Sequence, residues 1–541
     1  MKKRMIKRMV AVLSTVTVLG TFIWGCGSGT TETGTQKNIT ESASEVAYNT
    51  LESESWDPMR DSTSGGLIKH LFEGLMTWEN GELTLGCAES IIPSDDMLEY
   101  DVVIKDDAVW SDGQPVTAED FRYSWLRQLN PENAAKYCSY LYWIKNGEEY
   151  NTGKCSENEV GLEVVGDKEL KITLKAPCAY FEELLAGKVY LPVRSDIVEA
   201  SETWWSDPST CIGNGPYKLE AYTPNDSMVL IKNDKYREAD KVYIPKVTAK
   251  FITDPQVELM AYQTNEIQVG IMPPTDSLSQ LKESGDLVSN PKLTCYWLVV
   301  NCENDVINDP KVRKALSMAI DRDTLVENVT KGGEIPAYSL IPPQVEDTST
   351  GKAFNDDSSN YFSYDVDQAK KLLADAGYTD GKDFPTLTYA ISSGSNHAEI
   401  AQAIQAMWKE NLGINVDIVE EELSVFISDR KAGKFNIARY TWEGSYADPD
   451  TWLSLYVSNS ENNDSQYKSD SYDKIVKEAQ QEIDVNKRFE LLHEADKLLI
   501  EEDMAVIPLF YPVNNYMVKS SIKDLGINPN GDIYWKGASI E

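Results

Sequence analysis

Apolar and polar positions follow two different periods along this chain, and the changes of period mark out its elements. In VTAEDFRYSWLRQL (116–129), Phe121, Trp125 and Leu129 recur every four residues, which predicts an amphipathic helix. Thr117 and Asp120 stand ahead of it at the spacing of a capping box and set its start at Ala118. A second helix is expected after Asp309-Pro310, a capping side chain followed by proline at the first helical position, with Val312, Leu316, Ala319 and Ile320 on one face. Farther on, HAEIAQAIQAMWKENLGI (397–414) predicts a helix ending at Gly413, NVDIVEE a strand, SVFISDRKAG a helix and KFNIARYTW a strand. Such alternation marks an α/β chain with a partly parallel sheet, and ligands of these sheets gather beyond the carboxyl ends of the strands. WEGSYADPDTWL (442–453), crowded with acids and aromatics, begins at one such end.

The first residues break the pattern. MKKRMIKRMV carries five basic residues and no acid, an apolar run follows, and the stretch closes on Ile23-Trp24-Gly25-Cys26. Residues 1–25 therefore predict a secretory signal peptide. The closing residues resemble a bacterial lipobox, which implies that Cys26 carries lipid and tethers the protein to the cell membrane on its extracytoplasmic face. Residues 26–45 hold one large apolar residue, Ile39, and predict a flexible linker.

Without the signal, 46 basic residues face 87 acidic ones, a net charge near −41 that disfavours nucleic acid as a partner. Seven cysteines remain after Cys26, scattered singly and without C-x-x-C spacing, against a structural zinc site; a Cys295–Cys302 bridge stays open. Neither metal nor cofactor is expected. The motifs of zinc hydrolases, serine hydrolases and nucleotide-binding loops are missing from the sequence, and the three histidines lie far apart. The acidic pairs Asp448/Asp450 and Glu420/Glu422 are the residues a glycosidase would need, but 87 acids supply such pairs by chance. An enzyme is not expected.

An ordered set of segments then carries a resemblance: LFEGLMTW (71–78), DDAVWSDGQPVTAEDFRYSWLRQLNP (106–131), GNGPYKLEAYTPNDSMVLIKNDKYR (213–237), VRKALSMAIDRDTLVENV (312–329), AKKLLADAGY (369–378) and MWKENLGINV (407–416). Together they resemble the oligopeptide-binding class of ABC-importer solute-binding proteins, the peptide and nickel class known as family 5. The resemblance implies two lobes closing on a ligand, with an extra domain inserted in the first. The first lobe takes 46–62, 188–285 and 507–541, the inserted domain 63–187 and the second lobe 286–506. TCYWLVVNC (294–302) and VIPLFYPVNNYMV (506–518) are implied as the two crossing strands. It further implies a monomer that delivers its ligand to permease and ATPase subunits.

Carried over singly, the family's anchors fall on Tyr137 near the ligand's amino end and on His397, Arg430 and Arg439 at its carboxylate end. Trp442 and Tyr446 are expected at the rim of the cleft, Trp442 as a wall at the strand end and Tyr446, with Asp448 and Pro449, shaping the D-P-D turn there. The amino end departs from the family: Ser445 stands where relatives keep an aspartate for the ligand ammonium, Ser62 where they keep a glutamate, and Leu423 where they keep a pocket tryptophan. Glu443, two residues before Ser445, and Asp61, beside Ser62, are the candidates to replace the charge. A plainer reading stays open for several of these residues, with His397 as an N-terminal helix residue and the two arginines as partners of nearby acids. The altered amino end also leaves open a receptor for a signalling peptide or a carrier of a metal chelate or glycan; an extracellular hydrolase is the remotest alternative.

Overall fold

The computed structural model describes residues 45–541 apart from 64, 80, 357, 359, 360, 445 and 529. The expected signal peptide, Cys26 and Ser445 lie outside these residues. Of the expected linker only Glu45 is described, and it opens the strand Glu45–Asn49. Among the described residues no helix is long and apolar enough to cross a membrane.

Local signals set the elements where expected. The helix Ala118–Leu129 starts at a reciprocal capping box, in which Thr117 Oγ1 accepts from the Asp120 N–H and the Asp120 carboxylate accepts from the Thr117 N–H at 2.8 Å. The Asp309 side chain caps Pro310–Met318 by accepting from the Lys311 N–H at 2.9 Å. His397–Leu412 ends at Gly413, whose φ of +73° is the left-handed conformation that closes a helix at little cost for glycine.

Three sheets organise the body. A seven-stranded sheet runs Leu287–Pro291, Val513–Val518, Val269–Gly270, Glu45–Asn49, Lys246–Lys250, Ser227–Lys232 and Tyr217–Thr223 in spatial order. A six-stranded sheet runs Ile335–Pro336, Val506–Tyr511, Thr294–Val300, Ile437–Glu443, Leu387–Ser392 and Val416–Glu421. A four-stranded antiparallel sheet, Ala88–Pro93, Glu99–Ile104, Glu169–Thr173 and Leu162–Gly166, lies within the segment expected as the inserted domain. Every residue of Thr294–Val300 and Val506–Tyr511 is buried, as continuous apolar runs in the middle of a covered sheet require.

Two passages join the larger sheets. The chain leaves the seven-stranded sheet after Pro291, enters the six-stranded one at Thr294, and returns through Pro512 between Tyr511 and Val513. The passages touch, the Lys292 N–H donating to the Pro512 carbonyl at 2.8 Å. Strand pairing thus moves the expected boundaries: Leu287–Pro291 is hydrogen-bonded to Val513–Val518, and Val506–Tyr511 to Thr294–Val300, so the chain changes sheet at 292–293 and at 512 rather than at 286 and 507. Likewise 294–302 is not itself a crossing, because 294–300 lies wholly in one sheet. The seven cysteines from Cys87 to Cys302 are all unpaired, Cys295 and Cys302 among them.

Candidate functional site

Arg439 sits within Ile437–Glu443, neighbouring the carboxyl end of the parallel strand Leu387–Ser392. Its side chain is buried, and both Nε (3.1 Å) and Nη2 donate to the Ser392 hydroxyl. Among the described residues no carboxylate lies within ion-pair distance of it, so the guanidinium is a buried cation without a counter-ion. Burial pulls its pKa below the usual arginine value, with the Arg430 charge adding to that pull. His397 opens the helix that follows Leu387–Ser392 and shares a hydrogen bond of 3.2 Å between Nδ1 and the Tyr296 hydroxyl. Burial, then the Arg439 charge, push His397 down to about 4, so its ring is neutral at pH 7. Arg439, Ser392, Tyr296 and the first turn of a sixteen-residue helix thus face one region with donors and positive potential.

Arg430 is of a different kind. Its Nε donates to the buried Asp464 carboxylate at 2.6 Å and its guanidinium lies 4.1 Å from the Tyr440 ring centroid. The Arg430 charge is thus met inside the protein by Asp464, as the plainer reading expects of it, whereas among the described residues Arg439 has no such acid beside it.

The residues expected at the amino end border a cleft of about 570 Å³ whose walls include Ser62, Tyr137, Lys188 and Glu443. Glu443 is exposed at the end of its strand, opposite Thr294. Gly444 follows it because a Cβ there would lie 2.5 Å from the buried Trp452 ring. Asp61, the second candidate for the missing charge, is fully buried and ion-paired to Lys188 at 3.3 Å, so it does not present a free carboxylate. Lys188 also lies 4.4 Å from the Tyr137 ring centroid. No motif around Lys188 in AGKVYLP distinguishes it, and its pairing partner is 127 positions away.

Tyr446 and Ala447 are held against the segment around Phe181–Leu184. Tyr446 stacks on Tyr180 with centroids 4.0 Å apart, and the Ala447 N–H donates to the Glu183 carboxylate at 2.8 Å. Tyr446 thus packs against the Phe181–Leu184 region and, with Ala447, also lines a small pocket beside the cleft. Trp442 is half-buried and packs on the core around the six-stranded sheet. The D-P-D segment is more than a turn: Arg488 donates to both Asp448 oxygens at 2.7 and 2.8 Å, and Asp450 accepts from Gln480 at 2.9 Å. Burial and the neighbouring Asp448 raise Asp450 to about 6 and Glu183 to about 7. Both carboxylates of the Asp448/Asp450 pair are buried and engaged by partners within the protein.

Residues 82–464 match the family described as bacterial extracellular solute-binding proteins, family 5 Middle. The oligopeptide-binding protein OppA of Bacillus subtilis is 36% identical over 490 residues, covering 88% of this chain and 89% of its own length. The unliganded open form of the periplasmic murein tripeptide-binding protein MppA superposes with a TM-score of 0.83 at 30% identity, over 92% of this chain and 97% of that one. For Haemophilus influenzae OppA in complex with RPPGFSPFR the TM-score is 0.67 at 27% identity, over 92% and 99%. With its two large sheets joined by paired passages and a cleft between them, this chain belongs to the bacterial extracellular solute-binding proteins of family 5.

Proposed function

We propose that this protein captures oligopeptides between its lobes and delivers them to an ABC importer, catalysing nothing itself. Arg439 carries this reading. A buried guanidinium without a carboxylate, beside a neutral His397, the Tyr296 hydroxyl and a helix N-terminus, is complementary to an anionic group such as a peptide carboxylate. Tyr137 and Glu443 border the other end of the ligand, and Trp442 stands beside it as wall. Peptide is the favoured solute because the Bacillus relative is named for oligopeptides and the Haemophilus structure holds RPPGFSPFR. The higher likeness to an open, unliganded form than to a peptide complex fits lobes standing apart in the free protein.

In this reading the first lobe takes residues up to 62, 188–291 and 513–541, the inserted domain 63–187 and the second lobe 292–512. Cys26 would carry lipid and hold the body, as a monomer, on the outer face of the cell membrane near the permease.

Calorimetric titration with tri- to pentapeptides, in free-amino and N-acetylated forms and with free or amidated carboxyl ends, tests the reading. Binding is expected, with amidation weakening it at least tenfold. A folded protein that binds none of these peptides overturns it.

A further inference from the structure

Around Lys188 the cleft holds the parts of an ammonium-binding niche, and the niche is already filled. Lys188 Nζ donates to the Asp61 carbonyl at 2.8 Å, to the Asp61 carboxylate at 3.3 Å and to the Thr63 carbonyl. The face of Tyr137 covers the same group at 4.4 Å. A carboxylate, two carbonyls and an aromatic face are the chemistry that recognises a primary ammonium. The carboxylate is held for this task, since its other oxygen accepts from the Thr63 N–H at 3.1 Å and hydroxyl at 2.9 Å and the side chain is shut off from water.

We infer that Lys188 stands where a ligand ammonium would otherwise bind, so that the cleft selects ligands whose amino end is blocked and uncharged, such as acylated or cyclised peptides. The inference rests on the peptide reading of the cleft.

The other charged groups on these walls agree with it. Lys69, a second cation there, is paired with Asp532 at 3.5 Å. Glu183 accepts from the Ala447 N–H, and its burial favours the protonated form. A ligand ammonium would therefore meet two lysine–aspartate pairs whose charges are already met, with the solvent-exposed Glu443 as the carboxylate left to it among the described residues of these walls. A blocked end brings no charge to this wall, and its amide N–H can donate to Glu443.

The test is affinity selection at pH 7 from a mixture of tetrapeptides of varied sequence, each present as free-amino and N-acetyl form, read by mass spectrometry. Wild-type protein is expected to retain the acetylated forms at least tenfold in preference. Lys188→Met opens the niche and should invert the preference toward free amines. Because that variant leaves Asp61 buried without a partner, the double variant Asp61→Asn, Lys188→Met serves beside it and should bring the ratio near one. Preference for free-amino peptides in the wild type, or a ratio that neither variant moves, overturns the inference while leaving the peptide reading intact. Retention of neither form by protein with a cooperative thermal transition removes the peptide reading and the inference with it.

Discussion

The two ends of the candidate ligand site treat a buried cation in opposite ways. Arg439 has Ser392, Tyr296 and His397 around it and no carboxylate within ion-pair distance among the described residues, whereas Lys188 has Asp61, two carbonyls and an aromatic face. Desolvating a charge without a partner costs free energy that the fold must offset elsewhere; a paired charge is largely neutralised where it stands. The first arrangement is open to an anion from outside, and the second is closed to a cation. At this site the kind of residue matters less than whether its charge is already met.

Lys188 is where this contrast is most sensitive to a single substitution. Lys188→Met leaves the buried Asp61 carboxylate without its counter-charge and should lower unfolding stability by about 3–5 kcal/mol, as measured by denaturant titration. If stability is unchanged, the pair is not the closed unit described. Arg439→Met should do the reverse: binding of carboxylate-ended peptides falls by about 2–5 kcal/mol in calorimetry, while stability is held or raised because a lone buried charge has gone. A loss of stability there would mean that an internal partner serves Arg439 after all.

A smaller effect concerns the seam where Ala447 meets Glu183. The Glu183 carboxyl titrates near 4.5 in an unfolded chain and is raised to about 7 in the fold, chiefly by burial. The folded state therefore holds a proton that the unfolded state releases, so stability is full below about pH 4.5 and declines as pH rises through 7. Glu183→Gln should flatten this part of the stability curve between pH 5 and 8 by on the order of 2 kcal/mol, read from melts across pH. Asp450, raised to about 6, keeps some of the slope. Smallest is Glu443→Gln: the carboxylate is exposed, so its loss should change peptide affinity by under about 1 kcal/mol. A change several times larger would make Glu443 a true ammonium anchor and undo the contrast between the two ends.

Much of the fold was legible along the chain. The capping box at Thr117, the Asp309-Pro310 start and the Gly413 stop act within a few residues, and the buried runs 294–300 and 506–511 declare themselves by continuous apolarity. The site was legible only in part. His397 and Arg439 do lie together, whereas Arg430 is turned inward to Asp464 and Tyr446 is stacked on Tyr180. Lys188 and Tyr296 carried no signal, one a lysine among many and the other an aromatic inside a core strand.

The local elements, their α/β order and, through ordered segments, the family are written along the chain. Hydrogen bonds and side-chain periodicity between near neighbours suffice for that. Which charges are met is settled by contacts between distant parts of the chain. Asp61 finds Lys188 across 127 positions, Asp464 finds Arg430 across 34 and Asp448 finds Arg488 across 40. Coulomb energy and desolvation depend on separation in space and on burial, which the folded chain alone establishes.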